Sequence, residues 1–381
     1  MNSFFLIKLE KIFFFTKNIF IKYNLHFFLL KILLNIKSMC NIKYLTSNKI
    51  FVFIFFYIFL YFFIFFKFKK CYIFKYNDLS EFFKKSMKLI LGTANFGQNY
   101  GLKQFRIKEK EIKKILNVCK KEKIRQIDTA YNYGESENIL GSNGVKNFKI
   151  CTKIPEIPSN IHTSKIAGWV RNIFFNSLKK LKIKKIDTVL FHRTTKFKNK
   201  KGQIAYRTLQ ELKKKKYIKK IGYSIYSFKE LDFFLKNYQP DVVEVPYNLF
   251  DRRIKNSGWL KRLHEKKVEV WARSIFLQGL LLYERKSRPK FFNKWKKIWK
   301  IWDDLVLNKK TALNLCVTFI QREKYIDKFI VGVNNSTELI EILNSVKKKF
   351  KNVDNKELSK IVKKVNIQDQ RILEPFRWNK I

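Results

Sequence analysis

From Met87 onward the sequence repeats one pattern eight times: a short apolar run, then a longer Lys/Glu-rich stretch of helical period. Strands joined by helices in this way must lie parallel with both faces covered, which leaves few folds open. The strand candidates are Leu89–Leu91, Ile124–Ile127, Lys149–Thr152, Asp187–Phe191, Ile221–Tyr223, Val242–Val245, Val268–Trp271 and Phe329–Val331. Between them the spacing predicts helices over Glu109–Lys121, Ile166–Leu181, Ile204–Lys215, Phe228–Lys236, Gly258–Lys266 and Thr311–Gln321. Eight β/α units in about 250 residues is the size of a (β/α)8 TIM barrel. The rival is an open doubly wound sheet, and no G-x-G-x-x-G follows the first strand to support it. The longest insertion between strands, Leu282 to Lys310, is rich in Trp and Lys and reads as part of a lid or an extra helix.

Residues 1–86 are of another composition. They hold about half of the chain's 39 phenylalanines and no glycine or proline. Ile50 to Phe66 is apolar throughout, flanked by Lys49 and by Lys67, Lys69 and Lys70. A run of about 17 residues stands at the short limit for a membrane span. It lacks the small-residue cleavage site of a secretory signal. Two readings stand: a membrane anchor through residues 50–66, or translated upstream sequence ahead of a start at Met87. The second is preferred here, with residues 87–381 as the folded unit and the cytoplasm as its compartment.

The net charge of +51 comes almost entirely from lysine. Such a balance raises nucleic acid or an anionic membrane as partners. However, lysine, isoleucine, asparagine and phenylalanine are over-used throughout, as AT-rich coding would produce. Runs such as Lys213–Lys216 and Lys347–Lys349 fall on predicted helices or their ends, where a solvated face is expected. No specific nucleic-acid partner is therefore expected. Cys40, Cys71, Cys119, Cys151 and Cys316 are scattered, with no C-x-x-C and no zinc spacing, which fits reduced thiols and no metal site.

In a parallel barrel the chemistry collects at the carboxyl ends of the strands. Here those ends carry Gly92 and Thr93, then Asp128 with Tyr133 on the following loop, Lys153, His192, Ser224, Tyr247 with Asn248, and Arg273 with Ser274. Each alone has a structural use, as a helix cap, a surface lysine or a satisfied rim histidine. An Asp, a Tyr, a Lys and a His on three consecutive strand ends form an acid site if the cation lies close enough to lower the tyrosine pKa. Ser136 is placed to cap the helix that follows Tyr133. His26, His162 and His264 fall on the extension, a loop and a helix, and read as structural.

Several motifs together resemble the aldo-keto reductase superfamily, as a bacterial subgroup. They are Leu91-Gly-Thr-Ala-Asn-Phe-Gly97, Asp128 to Gly141, Lys153 in Thr-Lys, His192 after Val-Leu-Phe, Ile221-Gly-Tyr-Ser224, Pro246-Tyr-Asn248, Phe276-Leu-Gln-Gly-Leu280 and Ile330-Val-Gly332. The resemblance runs from about Leu89 to Trp378. It implies a barrel that binds NADP (NADPH), with NAD as the alternative, and reduces an aldehyde or ketone, a small-molecule carbonyl substrate. It implies Tyr133 as general acid, Lys153 lowering its pKa, Asp128 holding Lys153, and His192 orienting the carbonyl oxygen. The cofactor positions it implies are Gly92, Thr93, Ser224, Glu244, Arg273, Ser274, Gly332 and Asn335. Three departures stand out: Ile225 where Asn is common, Glu244 for a usual Gln, and Arg273 for an aromatic ring. No arginine lies between Gly332 and Glu338 to grip a 2′-phosphate. A second reading is a catalytically weak, nucleotide-sensing barrel acting as a regulatory or membrane-associated subunit, as the β-subunits of potassium channels do.

Overall fold

A computed structural model of the chain describes residues 89–380, except 103, 195, 196, 307, 308, 348–354 and 366. The extension over residues 1–86, with the apolar run at 50–66, lies outside the described residues. Among the described residues no helix is long and apolar enough to cross a membrane.

Eight parallel strands close a barrel in chain order, the first pairing with the eighth. They are β1 (Leu89–Gly92), β2 (Gln126–Asp128), β3 (Lys149–Ile154), β4 (Ile186–Phe191), β5 (Ile218–Ser224), β6 (Val242–Pro246), β7 (Glu269–Arg273) and β8 (Lys328–Gly332). All eight expected strands are present. Most extend one to three residues beyond the expected ends, because the ladder continues into polar residues that an apolar run does not mark. Eight of the helices are α1 (Glu109–Lys121), α2 (Ser136–Ser142), α3 (Ile166–Leu181), α4 (Lys200–Lys214), α5 (Leu231–Asn237), α6 (Arg253–Asn256), α7 (Trp259–Glu265) and α8 (Lys296–Leu305). They are followed by α9 (Lys309–Arg322), α10 (Ser336–Lys347), α11 (Asn355–Lys364) and α12 (Gln370–Leu373). The helix expected over Phe228–Lys236 divides into a 3-10 turn at Phe228–Glu230 and then α5.

Local sequence explains these helices. In α1, Ile112, Ile115, Leu116 and Cys119 are buried at the i, i+3, i+4, i+7 spacing of one face. Glu109 and Glu111 in its first turn and Lys120 and Lys121 in its last complement the helix dipole. Helix exits are less conventional. Lys123, Lys182, Lys216 and Lys267, each just past a helix, take left-handed φ values of 58°, 54°, 62° and 58°, where glycine is usual.

The insertion from Leu282 to Lys310 forms short 3-10 turns and then α8. Trp299 and Trp302 pack their rings on Phe250, and the Trp295 indole donates to Asp369. It is an extra packed helix and not a lid, because its indoles are buried. Trp302 is fully inside.

Side chains alternate across each strand. Ile90, Cys151, Leu190, Val242, Trp271 and Ile330 form one small cluster, while their neighbours in the chain join the large core that packs the helices. This small cluster is the floor of the barrel interior.

Candidate active site

The next interior position on each strand lies two residues on, towards the carboxyl end. From Ile90 this is Gly92, from Cys151 it is Lys153, and from Leu190 it is His192. From Val242 it is Glu244, from Trp271 it is Arg273, and from Ile330 it is Gly332. Asp128 and Ser224 complete the ring at the ends of β2 and β5. An apolar floor thus carries a layer of charged and polar groups directly above it.

Asp128 and Lys153 are its tightest pair. The Lys153 ammonium donates to Asp128 Oδ1 at 2.5 Å and Oδ2 at 2.6 Å, and to the Thr129 carbonyl at 3.2 Å. Both side chains are buried. Burial works to lower the Lys153 pKa, but Asp128 and then Glu244 outweigh it and hold the ammonium well above its ordinary value. Burial pushes the Asp128 carboxyl up, with Lys153 opposing and Glu244 assisting. Two short bonds to the ammonium mark the pair as ionised.

Tyr133 hangs over this pair, with the Lys153 nitrogen 5.3 Å from its ring centre. His192 meets the same ring edge-on, centroids 5.5 Å apart. The loop holding Tyr133 is fixed by close backbone approach. A Cβ at Gly97 would lie 2.1 Å from the Ser136 nitrogen and 2.2 Å from the Tyr133 carbonyl oxygen, so no larger residue fits. Ser136 begins α2 but does not cap it. Its hydroxyl donates to the Thr93 carbonyl at 3.1 Å and lies 3.1 Å from the Thr129 hydroxyl, because a buried hydroxyl here finds partners across the barrel end. Thr93 likewise donates its hydroxyl to the Asp128 carbonyl at 2.9 Å. It ties β1 to β2, and that hydroxyl proton is committed to the protein.

Burial pushes the Tyr133 phenol above its ordinary range, while Lys153 pulls the other way and Asp128 opposes Lys153. Lys153 lowers the phenol's pKa as expected, and desolvation of the phenolate exceeds the attraction of that one ammonium, already paired with a carboxylate. Burial, reinforced by Lys153, Arg273 and Arg193, brings His192 down to about 3, so its imidazole is neutral at physiological pH.

The other half of the layer is unusual. Ser224 donates to Glu244 Oε1 at 2.8 Å. Glu244 Oε2 lies 3.5 Å from Lys153, and Glu244 Oε1 lies 3.4 Å from Arg273 Nε. Neither Glu244 Oε2 nor Arg273 Nε makes a hydrogen bond within the protein. The Arg273 guanidinium lies 3.9 Å from the centre of the Tyr226 ring and donates to the Ile225 carbonyl at 3.2 Å. Just beyond it, Ser274, Leu277 and Gln278 all have left-handed φ, at 57°, 49° and 52°. Such strain in non-glycine residues collects at functional loops. Asn248 braces that loop by donating to the Ser274 carbonyl, while Tyr247 turns away to donate to Glu323.

Gly332 ends β8, and Asn335 Oδ1 accepts from the Glu338 amide at 2.8 Å, capping α10. The orphaned Glu244 and Arg273 atoms ask for polar partners, and a flat amide-bearing ring fits them in chemistry. Together with the open Gly332 end, these residues fit a nicotinamide nucleotide. His162 and His264 serve local roles, the first against Ser164 and the second against the Tyr325 ring.

The Aldo/keto reductase family model matches residues 88–363, well over half of the 381. The chain belongs to the Aldo/keto reductase family. It is accordingly an enzyme, an oxidoreductase of carbonyl compounds, and the family's cofactors are nicotinamide nucleotides. No curated protein matches it in sequence. Among solved structures, the holo form of an aldo-keto reductase from Bacillus halodurans is 17% identical, with TM-score 0.60, covering 75% of this chain and 95% of that one. A candidate aldo-keto reductase from Pseudomonas aeruginosa is 21% identical, with TM-score 0.51, covering 69% of this chain and 91% of that one. At these identities the likeness is one of fold.

Within this aldo-keto reductase, sequence reasoning missed Tyr226 under Arg273, and it missed Asn95, whose amide donates to the Val333 carbonyl at 2.9 Å. It also missed Glu111, which accepts from both the amide and the hydroxyl of Ser336. Tyr226 stands two residues after Ser224, a signal available in the sequence. The other two contacts join residues more than 200 positions apart, and no local pattern marks them.

Proposed function

We propose that the chain reduces an aldehyde or ketone to an alcohol with a nicotinamide nucleotide, using Tyr133 as general acid assisted by Lys153, Asp128 and His192. The observation that carries this reading is the Lys153 ammonium, buried, held by Asp128 and 5.3 Å from the centre of the Tyr133 ring. A bound reduced nicotinamide supplies the hydride that the carbonyl carbon accepts. Gly92, Ser224, Glu244, Arg273, Ser274, Gly332 and Asn335 are the residues we assign to hold the nucleotide, with Thr93 supporting them from behind. As negative charge grows on the carbonyl oxygen, the Tyr133 hydroxyl gives it a proton. A phenol whose pKa is raised by burial arrives at that step protonated. The tyrosinate left behind faces Lys153, whose charge Asp128 keeps in place. Neutral His192 offers a ring N–H to the same oxygen, fixing its direction. We place the activity in the cytoplasm, in keeping with the buried free thiols Cys119, Cys151 and Cys316.

The test is carbonyl reduction by the Tyr133→Phe variant. Loss of a positioned acid costs roughly 10²–10⁴-fold in turnover, while nucleotide binding, followed by tryptophan fluorescence, stays near wild type. Unchanged turnover would remove Tyr133 from the role. The sequence resemblance put NADPH ahead of NADH, and the residues after β8 bear on that choice.

A further inference from the structure

We infer that the enzyme takes NADH in preference to NADPH, with Glu111 and Glu338 as the residues that set the choice. The inference rests on the nucleotide-dependent reading above. It begins from the first turn of α10, which follows β8. In barrels of this kind the loops after the seventh and eighth strands, with a helix N-terminus, form the usual place for a phosphate. Free backbone N–H groups and the helix dipole make such an end attractive to anions.

Here that end is already occupied by the protein's own carboxylates. Ser336 donates its amide to Glu111 Oε1 at 2.7 Å and its hydroxyl to the same oxygen at 2.6 Å. Asn334 donates its amide to Glu338 Oε2 at 2.8 Å and its side-chain amide to that oxygen at 3.1 Å. The Glu338 amide is satisfied by Asn335 Oδ1 at 2.8 Å. Three backbone donors of the turn are therefore spent, two of them on carboxylates. Lys114 pairs with Glu111 Oε2 at 3.2 Å, and that lysine is more than half exposed. The hydrogen bonds from Ser336 hold the Glu111 carboxyl down to about 2, so it carries its charge throughout the physiological range. A dianionic 2′-phosphate brought to this turn meets two carboxylates and donors already engaged.

A second observation points the same way. Asn95 is only 6% exposed and lies against the same loop, donating to the Val333 carbonyl and to Asn334 Oδ1 at 3.3 Å. Its side-chain Oδ1 accepts no hydrogen bond within the protein. A buried acceptor and two carboxylates together suit hydroxyl donors, as the ribose of NADH offers. In doubly wound dinucleotide folds a carboxylate serves the ribose in this way, while an arginine accommodates the extra phosphate, and the same chemistry applies here.

The experiment is titration of the full chain with NADH and with NADPH at fixed ionic strength, followed by quenching of tryptophan fluorescence. NADH is expected to bind about tenfold tighter or more. The Glu111→Gln/Glu338→Gln variant keeps an oxygen to accept each bond but removes both charges, and should bring the ratio of the two dissociation constants to within about threefold. Glu338→Arg should raise NADPH affinity about tenfold or more. NADPH binding as tight as NADH in the wild-type chain overturns the inference and leaves the reductase reading standing. A ratio unmoved in folded variants overturns the assignment to Glu111 and Glu338. Binding of neither nucleotide overturns the reductase reading and the inference with it.

Discussion

Glu244 Oε1 stands 3.4 Å from Arg273 Nε, so two departures from the family pattern are neighbours and form one ion pair, its carboxylate buried and its guanidinium partly so. With Glu244 Oε2 3.5 Å from Lys153, the buried Asp128, Lys153 and Glu244 and the partly buried Arg273 alternate in sign. A glutamate added alone at this depth would leave a buried anion, and an arginine added alone a buried cation, each destabilising by several kcal/mol. Together they leave the layer neutral.

This pairing predicts non-additive stability. Glu244→Gln leaves Arg273 without its carboxylate, and Arg273→Leu leaves Glu244 with Lys153 as its one neighbouring cation. Each single variant should lose about 2–4 kcal/mol in urea unfolding. The double variant should recover about 1–3 kcal/mol of the summed loss, a coupling of the size expected for contacting charges. Strictly additive losses would show that the two residues do not act as a pair.

His192 makes the chain sensitive to acid in a defined window. Its folded pKa, about 3, lies below the value near 6.5 of the unfolded chain. Between these values the unfolded state binds the extra proton, so stability rises with pH and falls as pH drops from 6.5 towards 3. Each pH unit costs about 1.4 kcal/mol, or about 2–3 kcal/mol at pH 4.5. His192→Gln removes this term. The difference in unfolding free energy between pH 7 and pH 4.5 should be smaller in the variant by that amount. Equal differences in the two proteins would mean that the folded imidazole titrates normally.

What the sequence displayed was whatever is periodic. Alternation of apolar runs with amphipathic stretches gave all eight strands, and the polar residues closing those runs gave the layer above the floor. Contacts made across the barrel end were hidden. Ser136 looked like a cap because capping is local, yet its hydroxyl answers to Thr93 and Thr129. The pull of Lys153 on Tyr133 was legible because the lysine stands in the sequence, whereas the opposing desolvation is a property of the packed site. The insertion ending in α8 read equally as a lid or an extra helix because tryptophan and lysine together suggest an amphipathic surface, and only packing, with two indoles against Phe250, decides for the helix.

The lysine-rich composition has a cost at the helix exits. Lys182 and Lys216 follow α3 and α4 with φ of 54° and 62°, and the Ile183 and Tyr217 amides bond back to Leu178 and Leu212. A side chain in this conformation brings Cβ against the carbonyl that follows, at about 1–2 kcal/mol, which glycine avoids. Glycine also gives the unfolded chain more freedom, which offsets part of that gain. Lys182→Gly and Lys216→Gly should therefore each stabilise by about 0.5–1 kcal/mol, and by their sum in the double variant, since the two sites share no hydrogen-bond partner. Thermal unfolding checks this directly. A lower melting temperature in either variant would show that the lysine's own contacts outweigh the backbone strain at that turn.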